Sequence, residues 1–143
     1  MNQEILDYIK SQRVGVLAVE MMDGSPHAAT VHFAHTDSPF VFYFETHSDY
    51  RKAEPILRRE KTRASFVIGS DESNLKTLQL DGTVELLKSG EVEIFNSVYL
   101  GKFPEKKEKA RDNKLVLFKF IPSWWRFTDW TTPEGKKILT SNS

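Results

Sequence analysis

The sequence predicts a mainly β domain with some α-helix, of the α+β class. Seven short runs are rich in β-branched and aromatic residues, and turn residues such as Asp23 followed by Gly24 separate neighbouring runs. Other segments repeat their apolar residues at helical spacing instead. We therefore expect a small, mainly antiparallel barrel of six to seven strands flanked by two to three helices.

Three segments have the apolar spacing of helices. The N-terminal helix is expected within residues 1–13, where Asn2 can act as the N-cap and Ile5, Leu6 and Ile9 share one face. Two further helices are predicted over residues 49–60 and 89–99.

The strands are predicted from β-prone runs bounded by turns. Residues 14–22 are almost all apolar, so both faces of this strand are expected to be covered. Gly82 is expected to mark a bend or a bulge. The basic and acidic run 102–113 is expected to be a solvated loop or frayed helix. The predicted strands are residues 14–22, 27–35, 40–46, 63–70, 75–87, 115–121 and 124–131, followed by a polar tail at 132–143.

The composition argues against several classes of function. There are 20 basic and 20 acidic side chains, whereas duplex-binding domains carry a basic excess, so no nucleic-acid partner is expected. The absence of cysteine excludes disulfides and thiol catalysis. The longest apolar run is far shorter than the ~20 residues that span a bilayer, and the acidic N-terminus is unlike a cationic leader. We expect a cytoplasmic protein with no membrane partner.

Motifs of the common cofactor and hydrolase sites are missing from the chain. No two glycines have the G-x-G spacing, and no G-x-S-x-G motif is present. His27, His32 and His35 lie close in sequence, but on a regular strand His32 and His35 would face opposite sides. His27 and His35 would share a face roughly 26 Å apart. No metal site is therefore expected.

The junction between the third strand and the second helix has an unusual charge pattern. Residues 46–48 end the strand, Ser48 or Asp49 can cap the helix, and Arg51 and Lys52 follow within its first turn. Cations at a helix N-terminus oppose the helix dipole, and a bound phosphate or carboxylate would reverse this effect. The alternative is an exposed basic pair that forms ion pairs with Asp49 or Glu54.

Five segments follow one another in a particular order and spacing along the chain: HAATVHF (27–33), FVFYFET (40–46), HSDY (47–50), RK (51–52) and LQLDGTVELL (78–87). This order and spacing resemble those of the FMN-binding split-barrel family. This is the pyridoxamine 5′-phosphate oxidase-like superfamily, and the similarity is to its short general stress protein 26-like branch. The resemblance extends from Val14 to Leu87, with weaker support to Asp129, and implies one split β-barrel domain over residues 1–143.

The resemblance implies that the cofactor is FMN, bound at a homodimer interface. The second strand would lie along the flavin, with Phe33 beside it, and the end of the following strand would contact the ribityl phosphate. The basic pair would bind the phosphate, and one face of the strand that contains Gly82 would face the flavin. The cofactor-binding residues implied in this way are Thr30, Val31, His32, Glu45, Thr46, Arg51, Lys52, Thr77 and Gln79.

The chain also departs from the family members that oxidise pyridoxamine phosphate. Its second strand does not end in lysine, Thr77 replaces a glutamine, and residues 122–137 lack the Arg/His set for the substrate phosphate. Pyridoxamine phosphate oxidation is therefore not expected.

The expected function is flavin-dependent oxidation or reduction of a small molecule, with an electron donor such as NAD(P)H. The alternatives are a non-catalytic flavin-binding or sensor module, or a relative that uses deazaflavin or haem. In the haem case His32 or His35 is a conceivable ligand.

Overall fold

The computed structural model describes residues 1–69, 71–108 and 113–142 as eight antiparallel strands and three α-helices. The predicted α+β class with a split barrel is confirmed. The α-helices are α1 (Gln3–Ser11), α2 (Ala53–Arg58) and α3 (Val92–Lys102). The strands are β1 (Val14–Glu20), β2 (Pro26–His32), β3 (Ala34–Thr36), β4 (Val41–His47), β5 (Thr62–Ile68), β6 (Lys76–Leu86), β7 (Leu115–Thr132) and β8 (Gly135–Thr140).

The strands form one sheet in the order β2-β1-β5-β6-β7-β4-β3, and β8 pairs with β7. The two ends of this path, β2 and β3, are separated along the chain by Phe33 alone. A single residue can span only a few ångströms, so the sheet must curl until its ends meet. This gives the split barrel and brings the end of β2 close to β4.

The predicted strand at 27–35 is wrong because the chain breaks it at Phe33. The Phe33 side chain is fully buried in the core, and its backbone N–H donates to the carbonyl of Arg13 instead of continuing a ladder. β2 pairs with β1, whereas β3 pairs with β4. Consequently the argument that placed His32 and His35 on opposite faces of one regular strand does not apply.

The runs at 115–121 and 124–131 form one strand, β7, and not two. A register shift opposite Gly82 accommodates Pro122 and Ser123 within it, which confirms the bulge predicted at this glycine. A Cβ on Gly82 would lie 2.1 Å from the carbonyl oxygen of Ile121. Only glycine permits this approach between the two backbones.

Two further expectations about the strands need correction. The segment 132–143, expected to be a polar tail, contains β8, which returns along β7 and leaves half-buried side chains against it. In β1 one face is buried and the other is only partly covered, so the expected coverage of both faces is wrong there. It is β4 that is buried on both sides, because α3 packs on its outer face.

The helices follow the sequence pattern at α1 more closely than at α3. The Asn2 side chain accepts a hydrogen bond from the N–H of Glu4, as expected of the N-cap. α3 begins at Val92, after a 3₁₀ turn, and extends to Lys102, beyond the predicted end at 99. None of the helices in the described part of the chain is long and apolar enough to cross a membrane.

The core consists of two clusters on either side of the β3–β4 pair. Phenylalanines from β4, β5 and β7 fill the barrel, with Phe44 stacked on Phe118 at 5.1 Å between ring centroids. On the outer face, residues Phe95, Tyr99 and Phe103 are spaced four apart and pack against β3 and β4. This packing places the C-terminal end of α3 beside the junction of β2 and β4.

Candidate functional site

A cleft of about 340 Å³ lies where β2, β4 and the end of α3 meet. We call it the β2–β4 cleft. It is lined by Thr30, Val31, His32, Glu45, Thr46, His47, Tyr50, Lys52, Tyr99, Lys106 and Leu115.

The structure brings six of the nine implied cofactor-binding residues to this cleft. Arg51 instead lines a neighbouring depression with Met22 and Asp23. Thr77 lines a third depression beside Trp130. Gln79 lies within β6 and is paired across the sheet with residues of β5 and β7. The six residues in the cleft are Thr30, Val31, His32, Glu45, Thr46 and Lys52.

The helix after β4 is shorter than the sequence predicts, and the difference changes the argument for an anion site. α2 has six residues and begins at Ala53, with Lys52 as an N-cap that makes no side-chain capping bond. A turn precedes it, in which the N–H of Tyr50 donates to His47 and the N–H of Ala53 donates to Tyr50. These backbone donors are therefore already used. The expected anion site at the N-terminus of a helix capped by Ser48 or Asp49 is therefore wrong.

Pro55 explains part of this difference. In the observed helix it occupies the first turn, where backbone N–H groups have no intrahelical acceptor. A helix that began at residue 49 would place this proline in its interior, where it would remove a hydrogen bond and clash with the preceding turn.

Lys52 is buried, contrary to the expectation of an exposed basic pair. Its residue exposure is 7%, whereas Arg51 is exposed. The ammonium lies 5.0 Å from the centre of the Tyr50 ring, and burial lowers the pKa of Lys52. Within the ranges 1–69, 71–108 and 113–142, no carboxylate forms an ion pair with it. The cation therefore lies in the cleft wall without a counter-charge from these residues.

Thr46 contributes a second unusual group to the same cleft. The residue is 4% exposed, and its hydroxyl oxygen has no hydrogen-bond partner in the part of the chain that the structure describes. A buried hydroxyl without a partner typically costs about 1–3 kcal/mol. Buried polar groups are usually satisfied, so this hydroxyl and the Lys52 ammonium indicate a place for an anionic, hydrogen-bond-accepting group.

Lys106 occupies the other side of the cleft. Its Nζ lies 3.1 Å from His32 Nδ1 and 3.1 Å from the Tyr99 oxygen. Glu45 Oε1 is 3.9 Å away, and the ring centre of Phe103 is 5.2 Å away. The cation therefore links side chains from β2, β4 and α3 at one point.

Sequence reasoning missed Lys106 because it fell within the run 102–113, expected to be a solvated loop. Residues Pro104–Lys106 form a 3₁₀ turn that Phe103, fully buried, anchors to the second core cluster. The spacing of Tyr99 and Phe103 on one helical face is the signal that could have placed this turn against the sheet. Residues 109–112 of the run lie outside the described residues.

The acid–base state of Tyr99 follows from its surroundings. Burial raises its pKa, and the negative charges of Glu45 and Glu105 raise it further. The phenol therefore stays protonated at neutral pH and accepts the Lys106 hydrogen bond through its oxygen.

His35 lies outside the cleft, where its Nε2 pairs with Asp37 Oδ1 at 2.8 Å. Among the described residues no cluster of three or more metal-ligating side chains occurs.

Comparisons with known proteins agree with this architecture. A family model described as pyridoxamine 5′-phosphate oxidase matches residues 1–129. A conserved hypothetical protein from Mycobacterium tuberculosis is 25% identical, with a TM-score of 0.69 over 90% of this chain and 84% of that chain. A protein named as a general stress protein 26, from Jannaschia sp. CCS1, is 19% identical, with a TM-score of 0.67 over 96% of both chains.

A third solved structure, a heme binding protein from Mycobacterium smegmatis, is 15% identical with a TM-score of 0.73. The match covers 94% of this chain and 57% of that chain. No curated protein matched the sequence. At such low identities these structural neighbours show a shared fold, and a shared fold does not by itself identify a ligand.

Proposed function

Because the chain belongs to the pyridoxamine 5′-phosphate oxidase family, we propose that it is an FMN-binding flavoprotein that oxidises or reduces a small molecule. The proposal is carried by two groups in the β2–β4 cleft, a buried hydroxyl without a hydrogen-bond partner and an ammonium without a counter-charge among the described residues. The Thr46 hydroxyl lacks a partner among the described residues, and the buried Lys52 ammonium lacks a carboxylate there. A phosphate group would satisfy both.

The electrostatics of the cleft fit a phosphate better than a neutral group. Burial lowers the pKa of Lys52 because the charged form loses hydration. A dianionic phosphate beside it would restore favourable interactions with the charged form, and charge interactions are stronger in a partly dehydrated site than in water. The cleft volume of about 340 Å³ lies within the usual range of roughly 300–1,000 Å³ for ligand pockets.

In this proposal the residues of the chain bind and orient the cofactor. Thr46 and Lys52 hold the phosphate, and Thr30, Val31 and His32 of β2 lie along the flavin. FMN supplies the electron-transfer chemistry when bound, with a donor such as NAD(P)H, while the protein sets its position and its hydrogen bonds. No residue is assigned as a catalytic acid or base.

A homodimer would account for two of the three implied residues that do not reach this cleft, Thr77 and Gln79. Thr77 lines a separate depression, together with Leu75 and Trp130, each 47% exposed. Exposed apolar groups of this kind are common in protein contacts. In the proposed dimer, this surface of one copy covers the cleft of the other, so that Thr77 and Gln79 approach the flavin across the interface.

The test is titration of the purified protein with FMN and with riboflavin, which lacks the phosphate. Lys52→Met keeps the apolar stem and removes the charge, and it is expected to weaken FMN binding about 10- to 100-fold, as loss of a charge-assisted hydrogen bond does. Riboflavin affinity should stay unchanged. Arg51→Met is the matched control, because Arg51 is exposed and lies outside the cleft.

The outcomes separate the alternatives. A folded protein that binds neither flavin at saturation would overturn the proposal, and an equal effect of Lys52→Met on both ligands would overturn the phosphate assignment. Tight FMN binding without turnover of NAD(P)H would favour a non-catalytic carrier or sensor, and competition by a deazaflavin would identify that cofactor instead.

Haem is the second candidate. The observation in its favour is that two imidazoles, those of His32 and His47, line the cleft, in a fold shared with a protein named as heme binding. Titration with haem, followed in the Soret band, tests it directly, since axial ligation by histidine changes that band.

A further inference from the structure

Lys106 makes a set of contacts in the β2–β4 cleft that phosphate binding does not explain. Its Nζ lies 3.1 Å from His32 Nδ1 and 3.1 Å from the Tyr99 oxygen, with Glu45 Oε1 at 3.9 Å. The lysine side chain is 18% exposed, and Phe103 covers it with a ring face 5.2 Å away. The ammonium is thus held at a defined point by groups from three separate elements.

The chemistry of these groups determines which one donates. An ammonium has three N–H donors and no acceptor, so His32 Nδ1 must accept. A neutral imidazole has a single ring proton, which then belongs to Nε2. The Glu45 carboxylate and the two aromatic faces favour the charged form of Lys106. Phe103 also meets the His32 ring edge-on, with 5.2 Å between centroids, which restrains the imidazole plane.

We propose that Lys106 is a positioning residue that holds His32 as the Nε2–H tautomer, so that His32 is a hydrogen-bond donor to the ligand of the cleft. The ligand then presents an acceptor, a ring carbonyl or ring nitrogen, to this imidazole. The tautomer is a property of the ligand-free chain. The identification of the acceptor as part of a flavin rests on the proposed function.

The same arrangement opposes ligation of a haem iron by His32. An imidazole that ligates a metal donates its other ring N–H to a carboxylate, a carbonyl or water. Here the other ring nitrogen, Nδ1, faces the Lys106 ammonium, which is itself a donor. His32 therefore suits an acceptor-rich organic ring better than a metal.

Heteronuclear NMR of ligand-free protein labelled at the imidazole nitrogens tests the tautomer directly. The His32 signals are identified by their loss in His32→Gln. Near neutral pH we expect an unprotonated Nδ1 and a protonated Nε2 in the wild type, and a mixture of tautomers in Lys106→Met. Lys106→Arg should restore the wild-type pattern, and Lys107→Met, at the exposed neighbouring lysine, should not change it.

Two results of this measurement would overturn the inference. One is a protonated Nδ1 in the wild type, and the other is an unchanged His32 pattern in Lys106→Met. The melting temperature of each variant shows that it is folded. If Lys106→Met fails to fold, Lys106→Ala replaces it. It also removes the ammonium that faces Nδ1, so that a mixture of tautomers is again expected and an unchanged pattern would again overturn the inference.

Flavin titration shows whether the tautomer matters for the ligand. Lys106→Met should weaken FMN and riboflavin binding by the same factor, about 10-fold, as loss of one hydrogen bond does. Lys52→Met should affect FMN alone. A fixed tautomer in a protein that binds no flavin would overturn the proposed function and leave the tautomer assignment standing. Flavin affinities insensitive to Lys106→Met would overturn the donor role of His32.

The haem titration completes the test. If the wild type with haem shows the Soret band of a histidine-ligated iron, His32→Ala should show the same band. Loss of that spectrum in His32→Ala would show ligation through His32 and would overturn the proposal.

Discussion

Lys52 and Lys119 are both lysines with little exposure, but their surroundings are opposite. In β7, the Lys119 ammonium forms ion pairs with Glu91 and, at 3.6 Å, with Glu85. Burial lowers its pKa, but the hydrogen bond and charge of Glu91 and the charge of Glu85 outweigh this effect and raise it. At Lys52, burial alone acts and lowers the pKa.

The two lysines differ in whether the described part of the protein balances their charge. The ion pairs of Lys119 join β7 to β6 and to the turn before α3, so its charge is balanced within the protein. Lys52 lies in a cleft without a carboxylate partner from the described residues. A charged group that is desolvated and unbalanced in a cleft is a candidate binding residue.

The largest effect that tests this comparison is expected from Lys119→Met. It leaves the carboxylates of Glu85 and Glu91 close together without their cation. We expect a loss of about 2 kcal/mol in unfolding free energy, less than the ~3–5 kcal/mol for a fully buried pair because water reaches this site. Denaturant unfolding measures it. Lys52→Met is the contrast and should leave stability unchanged or slightly higher, and a similar loss in both variants would remove the distinction.

Lys102, away from the cleft, is a second lysine that forms no ion pair with any residue that the structure describes. Its Nζ donates to the carbonyl of Gln12 at 2.5 Å and lies 4.1 Å from the centre of the Phe33 ring. Burial, with a smaller contribution from the charge of Arg13, lowers the pKa of Lys102 to about 8. Its ionisation should therefore couple to folding at moderately alkaline pH.

The expected pH dependence follows from the direction of this shift. The unfolded chain keeps the Lys102 proton up to its ordinary pKa of 10.5, whereas the folded chain loses it at about 8. The unfolded state binds more protons in this window, so stability should rise with pH from about 8 to 10.5. The full shift corresponds to ~3 kcal/mol, and screening at a half-buried site reduces this to about 1–2 kcal/mol.

Comparison of wild type with Lys102→Met isolates this contribution from other groups that titrate in the same range. Unfolding free energies measured across the window should rise in the wild type and rise less in the variant. Parallel curves would show that Lys102 is not desolvated in the folded protein.

The sequence predicted the fold class well because strands and turns depend on local pattern. The bulge at Gly82 and the Asn2 cap are local features of this kind, and both are present. The break at Phe33 was not predictable, since apolar and β-prone residues continue through it and only closure of the barrel requires it. The two strands predicted at 115–121 and 124–131 are one strand, because a bulge accommodates Pro122 within β7.

The site was predictable only in part. Six of the nine residues taken from the family resemblance meet in the β2–β4 cleft, because β2 and β4 are neighbours in any sheet closed at Phe33. The burial of Lys52 depends on where α2 begins, and the position of Lys106 depends on how α3 packs against β4. Neither is a local property, so neither could be obtained from spacing along the chain.

The smallest expected effect is that of Thr46→Val, which should change protein stability and FMN affinity in opposite directions. This makes it the sharpest test of the cleft. Thr46→Val replaces a buried hydroxyl that has no partner among the described residues by a methyl group of similar size. The free protein should become more stable by about 1 kcal/mol, since the unsatisfied group is removed. FMN affinity should fall severalfold, because the phosphate loses a donor, while riboflavin affinity stays the same.

Thr62→Val is the matched control for Thr46→Val. Thr62 is 1% exposed, and its hydroxyl donates to the Pro55 carbonyl at 3.1 Å. Removing this satisfied hydroxyl should therefore destabilise the protein by about 1 kcal/mol without a specific effect on FMN. Thermal and denaturant unfolding of both variants give the comparison. If Thr46→Val destabilises the free protein as Thr62→Val does, the Thr46 hydroxyl already has a partner and is not held ready for a phosphate.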